Sequence, residues 1–217
     1  MAGNNHIDAN ILQEGGAALA IAGILVLSPF LRPWYSRWGA NDAEVIGTLP
    51  GDEIVPQPIL EVTRAISIRA PVNRIWPWLV QMGQAHGGLY TYERLENLAG
   101  CKMKNADRIV PEWQNPLVGD EIRLGPKGYP RFIVVEMQPN RALVMQACDP
   151  VKDETGPASW AFVLEALDAN TTRLIARSRN GMEPTPGNRV MWRYLVEPIH
   201  FVMERRMLIG IKRRAET

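Results

Sequence analysis

Residues 159–178 read SWAFVLEALDANTTRLIARS, two β-strand patterns joined by a turn at 168–170. The turn is short enough to connect the two strands as an antiparallel hairpin. Along the first strand, alternation places Trp160, Phe162 and Leu164 on one face of the sheet. Large apolar side chains on such a face either fill a core or line a pocket.

Four further strands are predicted upstream of this hairpin. They lie in alternating or apolar segments bounded by Gly, Pro, Asn and Asp, namely residues 62–70, 120–124, 131–137 and 142–147. Arg64 is an exception in the first of these strands, because a charged side chain falls on the inward-facing side. Together with the hairpin, the segments predict an antiparallel sheet.

Helices are predicted between the first two strands and at the C-terminus. Pro71 suits the start of a helix that Pro77 is expected to kink or split, and an irregular helical region follows at residues 90–98. A long last helix is predicted at residues 188–214, with a bend at Pro198. Its apolar side chains that can face the sheet are Leu195, Ile199, Val202, Met203 and Met207. This order predicts an α+β fold of the helix-grip type, in which an antiparallel sheet wraps around the C-terminal helix.

Four segments carry a family resemblance: WPWLVQMGQ at 76–84, YERLENLAG at 92–100, ADRIVPEWQ at 106–114 and HFVMER at 200–205. They resemble bacterial proteins of the SRPBCC superfamily, which includes START domains, Bet v 1-like proteins and aromatase/cyclases. The resemblance covers residues 46–216 and implies the helix-grip fold. Members bind lipids, sterols or polyketides, and some catalyse cyclisation or dehydration. The resemblance therefore implies a ligand cavity, and it assigns no catalytic residue to this chain.

Aromatic and methionine side chains fall on the elements that would border such a cavity. The candidate lining residues are Trp76, Tyr90, Tyr92, Trp113, Phe132, Met145, Trp160, Phe162, Met203 and Met207. For any one of them, a place in the plain core is the favoured interpretation, and as a set they indicate a small apolar cavity. Arg108 is a candidate polar contact to a ligand, and the alternative is that it forms an ion pair with Glu112 that pins their loop.

Residues 15–31 contain no charged side chain and are followed by Arg32, Trp34 and Tyr35. This length is near the lower limit for a helix that crosses a bilayer, and aromatic and cationic residues at its end favour a transmembrane anchor. Positive charge only on the C-terminal side predicts a single pass through a bacterial inner membrane, with the N-terminus outside and the globular domain in the cytoplasm. The alternative is a buried helix or hairpin within the domain, because Ser28-Pro29 would weaken the last turn.

The expected organisation is a tail and transmembrane helix at 1–38, a proline-interrupted linker at 39–60 and the helix-grip domain at 61–217. Within the predicted anchor, Gly16, Ala20 and Gly23 share one helix face. Small residues on one face let another transmembrane helix approach closely. The sequence therefore predicts that the protein binds a membrane. It also suggests that this helix face contacts a transmembrane protein.

Composition and motifs argue against several function classes. With 24 basic and 23 acidic residues the net charge is +1, so we expect no nucleic-acid binding. Two cysteines make neither a disulfide framework nor a zinc pattern. Glu197, His200 and Glu204 share a helix, but without a second Glu-x-x-His they indicate a hydrogen-bonded polar stripe, not a di-iron site. We expect no metal, cofactor or catalytic set.

Three functions remain as hypotheses. The first is a membrane-anchored protein that binds a hydrophobic small molecule or lipid in its cavity. The second, ranked nearly level, is an accessory subunit of a larger membrane complex, attached through its transmembrane helix. The third, ranked last, is an enzyme of the cyclase or dehydratase type, and only the family resemblance supports it.

Overall fold

The computed structural model describes residues 2–149, 152–181 and 185–217, and the side chains of 2–14, 17, 20, 29, 188 and 189 are outside that description. The described helices are α1 (Ala2–Tyr35), α2 (Asp42–Ile46), α3 (Val72–Val80), α4 (Glu93–Leu98), α5 (Pro186–Met191) and α6 (Glu197–Ala215). The described strands are β1 (Leu60–Ile68), β2 (Glu121–Arg123), β3 (Arg131–Gln138), β4 (Ala142–Cys148), β5 (Thr155–Asp168) and β6 (Thr171–Asn180).

The strands form one antiparallel sheet in the order β1-β6-β5-β4-β3-β2. The predicted hairpin forms two interior strands of this sheet, β5 and β6, in which Phe162 pairs with Ala176 and Leu164 pairs with Leu174. The outer edge of β1 is covered by the chain that follows α1. There the backbone N–H of Thr63 donates to the carbonyl of Ser36 at 3.0 Å.

The main core lies between one face of the sheet and helices α3 and α6. Phe162 and Leu174 of the sheet belong to the same buried cluster as Leu79 of α3 and Leu208 and Ile211 of α6. A six-stranded antiparallel sheet that packs on a long C-terminal helix is the helix-grip arrangement, so the predicted fold class is confirmed.

Two prolines act differently from each other. The helix α3 runs from Val72 to Val80 through Pro77, so the helix is not split at this residue. The long C-terminal helix, for which a bend at Pro198 was predicted, is interrupted just before that residue by a π-helical turn at Trp192–Val196. There Glu197 N–H donates to the carbonyl of Trp192, five residues back. A widened turn fits this place, because proline has no N–H with which to continue the regular pattern.

The predicted transmembrane helix is not supported: no helix within the described residues combines the length and the apolar character needed to cross a bilayer. Instead, α1 packs with one side on the protein's own C-terminal helix. It is not the buried helix of the alternative interpretation either, because Leu19, Val26 and Phe30 are exposed. Ser28 Oγ donates to the carbonyl of Arg193 at 3.2 Å, and Tyr35 stacks on Phe201 with ring centroids 5.5 Å apart. The charge-free length of the segment led to the prediction of a bilayer-spanning helix. Contacts with a helix that is distant in the chain cannot be read from that length.

The small-residue face of α1 is partly described. A Cβ added at Gly16 or Gly23 would meet no atom within 4 Å, so both positions face away from the described domain. The side chain of Ala20 lies outside the described residues.

Residues 39–60, predicted as a linker, lie against the outer face of the sheet. Arg177 of β6 forms an ion pair with Asp52 at 2.7 Å, and Arg173 pairs with Glu44 of α2 at 2.6 Å. Leu49 packs in a small buried cluster with Ile175. The segment therefore covers apolar sheet surface and gives partners to the buried Arg177 and the half-buried Arg173 of β6.

Candidate ligand cavity

A cavity of about 730 Å³ lies between the inner face of the sheet and α6. This volume falls within the range of roughly 300–1,000 Å³ typical of small-molecule sites. Its wall is mostly apolar and includes Val62 of β1, Phe132 of β3, Trp160 of β5, and Met203 and Met207 of α6.

The N-terminal helix and the π turn close one side of the cavity. Ile21 of α1 lines it, together with Trp192, Leu195 and Val196 of the π turn. The segment predicted as a membrane anchor thus contributes to the candidate binding site.

The first polar group of the cavity is built around Glu204 of α6. Its carboxylate forms a fully buried ion pair with Arg64 and accepts a hydrogen bond from Trp160 Nε1 at 2.8 Å. Arg64 Nε also donates to the carbonyl of Tyr35 at 2.8 Å. A charge on the inner face of a strand is tolerated only when it is paired and hydrogen-bonded. These partners therefore explain why an arginine occupies the inner face of β1.

His200 lines the cavity beside this pair. Arg64 Nη1 donates to His200 Nδ1 at 3.3 Å, and His200 Nε2 lies 3.7 Å from Glu204 Oε1. Burial lowers the pKa of His200, and Arg64 lowers it further against the opposing effect of Glu204. The imidazole is therefore neutral near pH 7, with its proton on Nε2.

Glu197, one residue after the π turn, is the second carboxylate in the wall. Arg32 of α1 holds it with two bonds, Nε to Oε2 at 2.8 Å and Nη2 to Oε1 at 3.0 Å. The hydrogen bond to Glu197 raises the pKa of Arg32. A fork of this kind fixes orientation as well as charge, so it docks α1 on α6.

Glu96 of α4 is the third buried carboxyl in the wall, and its surroundings differ. Only 7% of its surface is exposed, and its Oε2 has no hydrogen-bond partner among the described residues. Burial raises the pKa of Glu96 to about 7, the charge of Glu93 adds to the increase, and the Thr91 hydroxyl opposes it. Burial, followed by the Glu96 charge, also raises the pKa of the Cys101 thiol, which disfavours a reactive thiolate.

Four of the predicted lining residues lie in the wall of this cavity: Phe132, Trp160, Met203 and Met207. Three others, Tyr90, Met145 and Phe162, are completely or almost completely buried in the main core. Trp76 packs against that core from its edge.

The remaining three predicted residues lie elsewhere. Tyr92 packs beside the α1–α6 contact, with the Arg206 guanidinium 5.5 Å from its ring centroid. Trp113 lines a separate, more polar cavity of about 450 Å³ and forms an edge contact with His86. Arg108 is exposed, and its backbone carbonyl accepts a bond from Gln81 Nε2 at 3.2 Å.

Sequence reasoning missed Ile21, Thr91 and Glu96 as lining residues. Glu96 lies inside the segment at 92–100 that carries the family resemblance, and its neighbour Leu95 also lines the cavity. A single glutamate in a helix of six residues nevertheless forms no sequence pattern from which its place in a cavity wall could be predicted. Within the described ranges, no three His, Cys, Asp or Glu side chains are grouped so that they could hold a metal ion.

No family model and no curated protein sequence matches the chain. Among solved structures, a polyketide cyclase-like protein from Corynebacterium glutamicum is similar at 18% identity and TM-score 0.36, over 73% of this chain and 91% of that chain. The Zhui aromatase/cyclase from Streptomyces sp. R1128 is similar at 13% identity and TM-score 0.40, over 72% and 93%. A protein from Arthrobacter aurescens is similar at 15% identity and TM-score 0.41, over 79% and 91%. Such distant likenesses carry no argument about ligand or activity.

Proposed function

We propose that this protein binds an apolar small molecule or lipid in the cavity between its sheet and α6. The observation that carries the proposal is an apolar cavity of about 730 Å³ between the sheet and α6. Protein interiors are normally close-packed, with few voids larger than a water molecule. A space of this size, with a few polar groups in its wall, is the usual form of a small-molecule site.

The test is a fluorescence titration with N-phenyl-1-naphthylamine, an uncharged apolar dye that brightens in apolar surroundings. The variant Ala158→Phe fills the cavity, because Ala158 of β5 lies in its wall. We expect this variant to bind the dye at least about tenfold more weakly, since the added ring occupies the binding volume.

The matched control is Ala166→Phe on the same strand and, by alternation, on the same face. Ala166 is exposed and lies about 27 Å away at 3.4 Å per residue. This variant should bind like the unchanged protein. Equal dye binding by Ala158→Phe, or no saturable binding by the unchanged protein, would contradict the proposal.

We propose further that the protein acts at a membrane surface, on which α1 lies flat. Leu19, Val26, Phe30 and Trp34 are exposed, and their spacing puts them on one face of the helix. The exposed Arg37 follows this apolar stripe. An apolar helix face that ends in an aromatic ring and a cation is typical of helices that lie in a lipid interface.

Flotation with vesicles of phosphatidylcholine and phosphatidylglycerol tests the membrane proposal. The double variant Val26→Ser, Phe30→Ser should lose most vesicle binding, because it removes apolar area from the stripe. The control variant Leu98→Ser, Leu117→Ser changes equally exposed leucines outside α1 and should bind normally. Equal flotation of both variants would contradict a role for the stripe.

The alternative occupant of the outward side of α1 is a transmembrane helix of another protein. This alternative is the accessory-subunit hypothesis, in which Gly16, Ala20 and Gly23 form the contact. The open surroundings of Gly16 and Gly23 leave room for a second helix to approach. A larger complex on a mild-detergent gel, lost in the variant Gly16→Leu, would favour this alternative over a lipid surface.

A further inference from the structure

Glu96 is the carboxyl of the cavity wall for which the described residues provide no basic partner. The two other carboxylates in the wall each have an arginine, Arg32 for Glu197 and Arg64 for Glu204. In the described part of the chain, no lysine or arginine forms an ion pair with Glu96. Removing a charge from water without a partner is costly, so this position is open to a cation supplied from outside the chain.

Within the described residues, the groups that act on the pKa of Glu96 are Thr91 and Glu93, and neither carries a positive charge. Thr91 lines the cavity beside Glu96, and its buried hydroxyl acts on that carboxyl by lowering its pKa. Glu93 acts on Glu96 as a like charge, and Cys101 is a neutral thiol at ordinary pH because its pKa is raised. An acidic oxygen without a partner among the described residues, Glu96 Oε2, and a hydroxyl beside its carboxyl therefore stand together in an apolar wall.

We propose that Glu96 and Thr91 bind the protonated amino group of an otherwise apolar ligand. This inference rests on the proposed function, because it assigns a head group to the molecule that fills the cavity. An ammonium group has three N–H donors and no acceptor, so it can serve both oxygens and neutralise the carboxylate. A hydroxyl head group would leave the negative charge uncompensated, and a carboxylate head group would meet like charge.

The test compares three probes with the same ten-carbon chain: decylamine, 1-decanol and decanoic acid. Each probe displaces N-phenyl-1-naphthylamine from the full-length protein at about pH 8, where the amine is protonated and Glu96 is mostly ionised. We expect decylamine to displace the dye at a concentration about tenfold below that of 1-decanol, with decanoic acid weakest.

The variant Glu96→Gln keeps the shape of the side chain and removes its charge. We expect its affinity for decylamine to fall about tenfold and its affinity for 1-decanol to stay within about twofold. Thr91→Val should weaken decylamine binding by a smaller factor. The control Glu154→Gln makes the same charge change at an exposed position and should leave all three affinities unchanged.

The outcomes separate this inference from the proposed function. If none of the probes displaces the dye, the apolar binding site itself is refuted. If all three displace it equally, or if Glu96→Gln retains the preference for decylamine, apolar binding stands and the amine site is refuted. Glu96→Gln should fold normally, because the substitution removes a buried charge that has no partner.

Discussion

Arg64 and Glu204 form a buried ion pair in which each charge depends on the other. Both side chains are almost completely buried, and Trp160 adds a hydrogen bond to the same carboxylate. We expect Arg64→Met to reduce the free energy of unfolding by about 3–5 kcal/mol, because it leaves Glu204 buried without a cation. Urea denaturation at neutral pH measures the loss.

Two further variants define the cause of that loss. The double variant Arg64→Met, Glu204→Gln removes both charges and keeps an acceptor for Trp160, so it should recover most of the stability. Arg123→Met breaks an exposed pair with Glu121 and should cost less than about 1 kcal/mol. A double variant as unstable as Arg64→Met would show that packing, not the unpaired charge, causes the loss.

Glu96 makes stability depend on pH in a defined direction. Its pKa rises from an ordinary value of 4.5 to about 7 in the folded protein. The folded state therefore holds more protons than the unfolded state between these values, and stability falls as the pH rises through the window. The full loss is about 3 kcal/mol, and it is absent below about pH 4.5, where the carboxyl is neutral in both states.

The measurement is urea unfolding of the unchanged protein and of Glu96→Gln at about pH 5 and about pH 8. The variant should be the more stable protein at the higher pH, and the difference should shrink at the lower pH. His200 also has a shifted pKa, but it is present in both proteins and its effect cancels in the comparison. A difference that does not change with pH would contradict the assignment to Glu96.

At the scale of elements, Gly210 sets how closely α6 approaches the loop before α4. A Cβ at this position would lie 2.5 Å from the Tyr90 carbonyl oxygen. Alanine normally stabilises a helix by up to about 1 kcal/mol relative to glycine. We nevertheless expect Gly210→Ala to lower the free energy of unfolding by about 1–2 kcal/mol, because backbone atoms must move.

Thermal or urea unfolding measures this change. Gly187→Ala is the control, since a Cβ in that glycine of α5 meets no atom within 4 Å. A stabilised Gly210→Ala variant would mean that the contact with Tyr90 relaxes without cost.

The elements also differ in how far their sequence pattern predicts them. The hairpin β5–β6 was predictable, because period-two alternation and a short turn are local signals. Pro77 and Pro198 show the limit, since both are prolines in helical patterns and only the second is accompanied by a π turn. Pairing of residues 36–38 with β1 was not predictable, because it is a contact between distant segments.

At the scale of the whole molecule, we expect the docking of α1 to control ligand binding. Arg32 holds Glu197 in α6, and Ile21 of the same helix lines the cavity. Arg32→Met should loosen α1 and weaken binding of N-phenyl-1-naphthylamine several-fold, because one side of the cavity loses its cover. Hydrogen exchange of the α1 amides and the dye titration give the two readouts.

Arg37→Met is the matched control for this prediction, because Arg37 lies in the turn after α1 and pairs with the exposed Asp42. It should change neither readout. Faster exchange in Arg32→Met together with unchanged dye binding would show that α1 does not close the cavity.

Local patterns in the chain were sufficient to predict the strands, the C-terminal helix and the helix-grip class. When one face of a strand or helix is buried, apolar residues recur along the sequence with the period of that element. They also identified four residues of the cavity wall, Phe132, Trp160, Met203 and Met207. Tertiary packing alone determined the place of α1, the partners of Arg64 and the isolation of Glu96. Each of these depends on residues far apart in the chain, and a pKa or a cavity wall is a property of such neighbours, not of a sequence period.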